Sequence, residues 1–138
     1  MPKVKLFQSK LMIETLGSAA ADDLLNDFRI YKEQGVLPST FGRDAPYTFT
    51  QNRSYLELQH IHIKADGEEF PLRLVQFSRT SDYVLVYCPA YFDRNTFLLI
   101  TVIKHWNFKK PHETSGTDKD ADLMAKLERI AEGFREKF

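Results

Sequence analysis

Tyr83-Val-Leu-Val-Tyr-Cys88 and, after seven intervening residues, Thr96-Phe-Leu-Leu-Ile-Thr-Val-Ile-Lys104 decide the fold. Both runs are rich in β-branched and aromatic side chains, which suit a pleated surface, and they predict central strands joined by a turn over residues 89–95. Upstream, residues 55–65 set Leu56, Leu58, His60 and His62 against Glu57, Gln59, Ile61 and Ile63, a strand pattern ending at an Asp66-Gly67 turn signal. Residues 72–78 predict a further short strand. Residues 36–53, with Pro38, Gly42 and Pro46, predict an irregular excursion holding a short helical turn. Before that, Ser18 is expected to cap a helix with Leu24, Leu25, Phe28 and Tyr31 on one face, stopped by Gly35. Residues 3–13 alternate and predict a first strand. At the other end, residues 118–135 place Leu123, Leu127, Ile130 and Phe134 along one side of a last helix. Strands grouped apart from helices predict an α+β fold, a mainly antiparallel sheet with helices packed on one face. No repeat or linker divides the chain, so residues 1–138 are expected to form one domain.

The chain has 19 Lys plus Arg and 19 Asp plus Glu among its 138 residues, with 43% apolar composition. That apolar content argues against global disorder. The zero net charge argues against a simple polybasic nucleic-acid binder. Position matters more than the sum, however. Residues 1–13 carry Lys3, Lys5 and Lys10 with no acid, and residues 94–112 carry Arg94, Lys104, Lys109 and Lys110 with none. Acids gather instead in the first helix, beside Gly67, and at Asp118, Asp120 and Asp122. One basic face and one acidic back can therefore cancel. The opening residues lack an apolar stretch of signal-peptide length, no run approaches the ~20 residues of a spanning helix, and Cys88 stands alone. These features predict a soluble, cytoplasmic protein with no membrane partner.

His60 and His62 are two apart on a strand and so share a face, which suits paired acid–base work, two metal ligands, or plain cross-strand packing. Arg79, within Gln76-Phe-Ser-Arg-Thr-Ser-Asp82, could clamp a phosphate or simply lie in a solvated turn. In residues 94–112 the cations alternate with His105, Trp106, Phe108 and His112. Cations that meet phosphates beside rings that stack on bases make a single-stranded RNA surface, and equally a solubilising loop. Arg135 and Phe138 are neighbours on the last helix, an exposed charge and a core anchor in the simplest reading. Arg43 and Asp44 could form a local ion pair. Zinc-protease, phosphate-loop and cysteine-ligand motifs are missing from the sequence.

These segments carry a resemblance. Phe41-Gly-Arg-Asp-Ala45, His60-Ile-His62, Gln76-Phe-Ser-Arg-Thr80 with Asp82, Leu85-Val-Tyr-Cys88, Phe92-Asp93, Leu98-Leu-Ile100, Ile103-Lys104 and the terminal Ala131-x-x-Phe-Arg-x-x-Phe138 follow one another in the order of the YafO toxins of bacterial type II toxin–antitoxin modules. The resemblance runs from about residue 35 to the last. It implies a small twisted antiparallel sheet like that of RelE and ParE toxins. It also implies an endoribonuclease (an mRNA interferase) that cuts mRNA in the ribosomal A site without metal or other cofactor. The implied partners are a cognate antitoxin, the ribosome and mRNA. In such chemistry the substrate's 2′-hydroxyl attacks the phosphate, so a base, a charge stabiliser and an acid are needed. His60 or His62 is assigned as base, Arg79 as phosphate clamp, Lys104 or Arg135 as added positive charge, and His112 as acid. Arg43, Gln76, Trp106, Lys109, Lys110 and Phe138 are expected to touch RNA. Two other readings remain: a non-catalytic ribosome- or RNA-binding inhibitor of the same fold, and a metal-dependent hydrolase built on His60, His62 and an unidentified third ligand.

Overall fold

The side chains of β4 (Tyr83–Pro89) and β5 (Thr96–Lys104) alternate between two cores. Val84, Val86 and Cys88, with Leu98, Ile100 and Ile103, meet Met124, Leu127, Ala131 and Phe134 of the last helix, α4 (Ala121–Lys137). Leu85, Tyr87, Phe97 and Leu99 point the other way, onto Met12, Ala21 and Phe28. Those three belong to α1 (Lys10–Leu16) and α2 (Ser18–Gln34). Helices therefore cover both faces of the sheet, not one as predicted. The reason is in the strands themselves: a strand buried on both sides reads as a nearly unbroken apolar run, as Phe97 to Ile100 does.

The structure is a computed structural model that describes residues 3–64 and 67–138. Its remaining elements are β1 (Lys5–Gln8), β2 (Phe41–Pro46), α3 (Gln51–Tyr55) and β3 (Gln59–Ile63). The five strands lie in the order β1-β5-β4-β3-β2. β2, β3, β4 and β5 pair antiparallel in turn, and β1 joins β5 in parallel, so the sheet is mixed.

Several local expectations change. The strand predicted over residues 3–13 stops at Gln8, because the Ser9 hydroxyl accepts the Met12 N–H (3.2 Å) and starts α1. Gly17, not Ser18, is the N-cap of α2, and Gly35, in the left-handed region at φ 66°, ends it as expected. The stretch at 36–53 is more regular than its prolines suggested. It holds β2 and α3, the latter capped by Thr50 on the Arg53 N–H (3.1 Å). The strand predicted from residue 55 begins only at Gln59, since Leu56 closes α3 and Glu57 takes φ 55°. Asp66 of the predicted turn lies outside the described residues. Residues 72–78 form no strand. After Pro71 they curl into a 3-10 turn at Gln76–Ser78, with Ser78 and Arg79 donating back to Val75 and Gln76 at 3.0 and 3.1 Å. α4 begins at Ala121, where the Asp120 carboxylate caps the Leu123 N–H (3.2 Å).

Candidate active site

Strand register places the histidines. His60 and His62 pair with Val86 and Val84, whose side chains enter the α4 core, so both rings lie on the α4 face of the sheet. Antiparallel pairing also brings the far end of β5 beside them, and His105 follows that strand directly. The His62–His105 ring centroids are 4.8 Å apart and the His60–His105 centroids 5.9 Å. One ring nitrogen from each of the three lies within 4.8 Å of the others. A side chain two residues from a strand partner was legible in the sequence. A third ring delivered by sheet pairing was not.

Each ring is held from outside the cluster. Tyr47 stacks on His60 at 4.1 Å between centroids. The Ser81 backbone meets Nδ1 of His62 with its N–H at 2.9 Å and its carbonyl at 3.0 Å. The Asp118 carboxylate faces Nε2 of His105 at 3.7 Å while accepting the Tyr47 hydroxyl (3.2 Å) and the Trp106 N–H (2.9 Å). The loop from β5 to α4 thus returns an acid to the cluster, which spacing alone gave no means to find. Burial, followed by the neighbouring His105 ring, pushes His60 and His62 down to about 4, and Arg43 adds to the shift at His62. Both rings are therefore neutral near pH 7, with a lone pair available for a proton or an ion. His60 Nδ1 is buried without a partner.

Two clefts meet at His105. A polar groove of about 660 Å³ is lined by Asp82, Lys104, Lys110 and His112 as well as His105. A smaller, more apolar cleft of about 280 Å³ is lined by Tyr47, Phe49, Arg53, Trp106 and Lys119, again with His105. Phe49 is 81% exposed at its mouth, and Lys119 lies over the Trp106 ring at 4.0 Å.

Not every assigned residue joins this site. Arg79 is buried and spends its guanidinium on backbone carbonyls, Nε to Leu74 (3.0 Å) and Nη1 to Phe41 (3.4 Å). Arg135 likewise donates to the Pro89 carbonyl (2.8 Å) and to Glu57 (3.1 Å), which also holds Arg94. It sits at the end of β4 away from His62's partner Val84, so the expected gathering of both arginines with the histidines does not occur. Gln76 donates to Tyr31 and to the Gly42 carbonyl, both at 3.0 Å, on the α2 side. Phe138 packs on Phe7 (4.8 Å) and Phe134 (5.1 Å). Asp44 does not pair with Arg43. It accepts both the Tyr31 and Tyr87 hydroxyls at 2.7 Å. Arg43 instead donates to the Phe77 carbonyl (2.6 Å) and stacks on the Phe77 ring at 4.0 Å. Lys109 is exposed on the loop beyond the groove.

A cluster of three histidines beside a polar groove, on a mixed sheet with helices on both faces, sits in a chain whose residues 29–136 match the family described as toxin YafO, type II toxin–antitoxin system. The protein is thus a toxin of the type II toxin–antitoxin class. More particularly, it belongs to the YafO family: it is 40% identical over 139 residues to the mRNA interferase toxin YafO of Escherichia coli (strain K12), covering 98% of this chain and all of that one. No solved structure matches. Among the described residues no helix is long and apolar enough to cross a membrane.

Proposed function

We propose that this toxin is an endoribonuclease, an mRNA interferase that cuts mRNA in the ribosomal A site and so stops translation. The observation that carries the reading is the meeting of His60, His62 and His105, the last of which lines the groove together with Lys104, Lys110 and His112. Support comes also from the relative named as an mRNA interferase.

The chemistry follows from the residues. A neutral His62 takes the 2′-hydroxyl proton on Nε2 while its Nδ1–H is steadied by the Ser81 carbonyl. His60, stacked on Tyr47, shares the same face and serves the same role if the substrate lies nearer it. Lys104 and Lys110 offset the charge that builds on the phosphate. His105, oriented by Asp118, or His112 across the groove protonates the departing 5′-oxygen. A single-stranded base next to the cut stacks against Phe49 and Trp106 in the smaller cleft, where base–aromatic contact contributes ~1–3 kcal/mol. If the ribosome aligns the mRNA for in-line attack, positioning supplies ~7–11 kcal/mol of the barrier, and a sparse set of side chains suffices. Residues 1–138 act as one toxin domain in the cytoplasm, silenced by a cognate antitoxin.

Primer extension on mRNA translated by purified ribosomes tests this directly. The expected result is new 5′ ends within or beside the A-site codon, lost when His62 and His105 are replaced by Gln. Translation arrest with no new ends would make the protein a non-catalytic inhibitor.

A further inference from the structure

The sequence offered two histidines with metal-ligand spacing and no third. The fold supplies it. His105 brings a ring nitrogen within 4.8 Å of one on His60 and one on His62, and these three donors are imidazoles alone. A tetrahedral zinc ion with Zn–N bonds of ~2.0–2.1 Å separates its nitrogens by roughly 3.4 Å. The rings must close by about 1.4 Å at most to reach that spacing, the difference of the two figures. His60 and His62 are fixed on β3, whereas the His105 side chain is 35% exposed just beyond β5 and has room to move.

The surroundings match those of a metal site. Ligating histidines typically donate their second ring N–H to a carbonyl or carboxylate, which fixes the ring for the ion. Here the Ser81 carbonyl stands 3.0 Å from Nδ1 of His62, and Asp118 stands 3.7 Å from Nε2 of His105. His60 Nδ1 is buried and unpartnered, a polar atom that an ion or its shell would satisfy. Three imidazole ligands without a carboxylate select zinc, cobalt, nickel or copper over magnesium or calcium. The groove of about 660 Å³ reaches the cluster at His105.

We propose that His60, His62 and His105 bind one divalent transition-metal ion of the zinc type, and that the bound ion switches RNA cleavage off. The ion takes the ring lone pairs that would accept the 2′-hydroxyl proton, so a filled site has no base. The switch rests on the cleavage reading above; the ion site does not.

Titration of the full-length, EDTA-treated toxin with Co²⁺ reads the site without RNA, through the visible absorption of a tetrahedral ion. One Co²⁺ per chain, displaced by Zn²⁺, is expected. His62→Gln and His105→Gln should each weaken Co²⁺ at least tenfold with unchanged far-UV circular dichroism, and His112→Gln should leave it as in the wild type. Absence of the absorption band, or wild-type affinity in both Gln variants, would overturn the site. Zn²⁺ should also abolish ribosome-dependent cleavage at the concentration that fills the site, with EDTA restoring it. Cleavage that persists with the site filled, or that requires Zn²⁺, would overturn the switch. A metal-free toxin that binds Co²⁺ as expected yet never cleaves mRNA would instead refute the nuclease reading alone.

Discussion

The Ser81 backbone presents both of its polar groups to one atom, Nδ1 of His62. Either neutral tautomer therefore keeps a partner, and so does the imidazolium formed when Nε2 takes a proton. Such a ring can pass a proton without losing its orientation. Its burial, like that of His60, also has a consequence for stability. Both fold with a value near 4 against an ordinary 6.5, so the unfolded chain binds more protons between those limits. Stability of the metal-free protein is thus full above about pH 6.5 and falls as pH drops toward 4. Urea midpoints measured from pH 7 to 5 should decline, and His62→Gln should flatten that decline. An identical slope in the variant would contradict the burial argument. Gly42 makes a different residue-scale claim. A Cβ there would lie 2.3 Å from the Arg79 carbonyl oxygen, which is itself bonded to the Arg43 N–H at 2.8 Å. Gly42→Ala must push the 76–80 segment off β2, at a cost of ~1–3 kcal/mol by urea denaturation.

At the scale of elements, Arg135 ties α4 to the end of β4 and to the segment before β3. Its two bonds, to Pro89 and Glu57, hold the guanidinium at that end of the sheet. Arg135→Ala strands the Glu57 carboxylate with Arg94 alone and removes a donor from a buried carbonyl. Because Glu57 is one-third exposed, the expected loss is about 1–3 kcal/mol, below that of a fully buried pair. Cleavage per folded molecule should persist; its abolition in a folded variant would return Arg135 to the catalytic set. The sequence made β4 and β5 legible as apolar, β-branched runs bounded by a turn, and α2 and α4 legible because each has one helical period and a cap or stop. β2 was hidden because Pro46 and Gly42 read as breakers, although an edge strand tolerates a proline at its end. For the candidate site, His60, His62, Lys104 and His112 were legible from residue type and position. His105 and Asp118 were not, because only the β4–β5 pairing and the returning loop bring them in. Arg79 and Arg135 misled for a physical reason: guanidinium groups that bind backbone carbonyls look, in sequence, like those that bind phosphate.

Across the whole molecule the charges cancel, and they do so within the groove as well. Lys104 and Lys110 share it with Asp82 and Glu113, while Asp22, Asp23 and Asp27 belong to α2 on the other face of the sheet, so the expected division into a basic face and an acidic back does not hold. Long-range steering toward ribosomes is therefore weaker than for a strongly basic toxin, and local contacts in the groove carry more of the binding. Lys104→Glu with Lys110→Glu should weaken ribosome association in sedimentation assays, most clearly at low salt, with an unchanged urea midpoint. Association indifferent to both charge and salt would place the RNA on another surface. The central claim is that the three histidines carry the chemistry. Its most direct measure is single-turnover cleavage of ribosome-bound mRNA, read as new 5′ ends, by metal-free wild type and by His60→Gln, His62→Gln and His105→Gln. Each catalytic substitution should slow cleavage by ~10²–10⁴-fold while leaving ribosome association intact. Wild-type rates in all three variants would contradict the account.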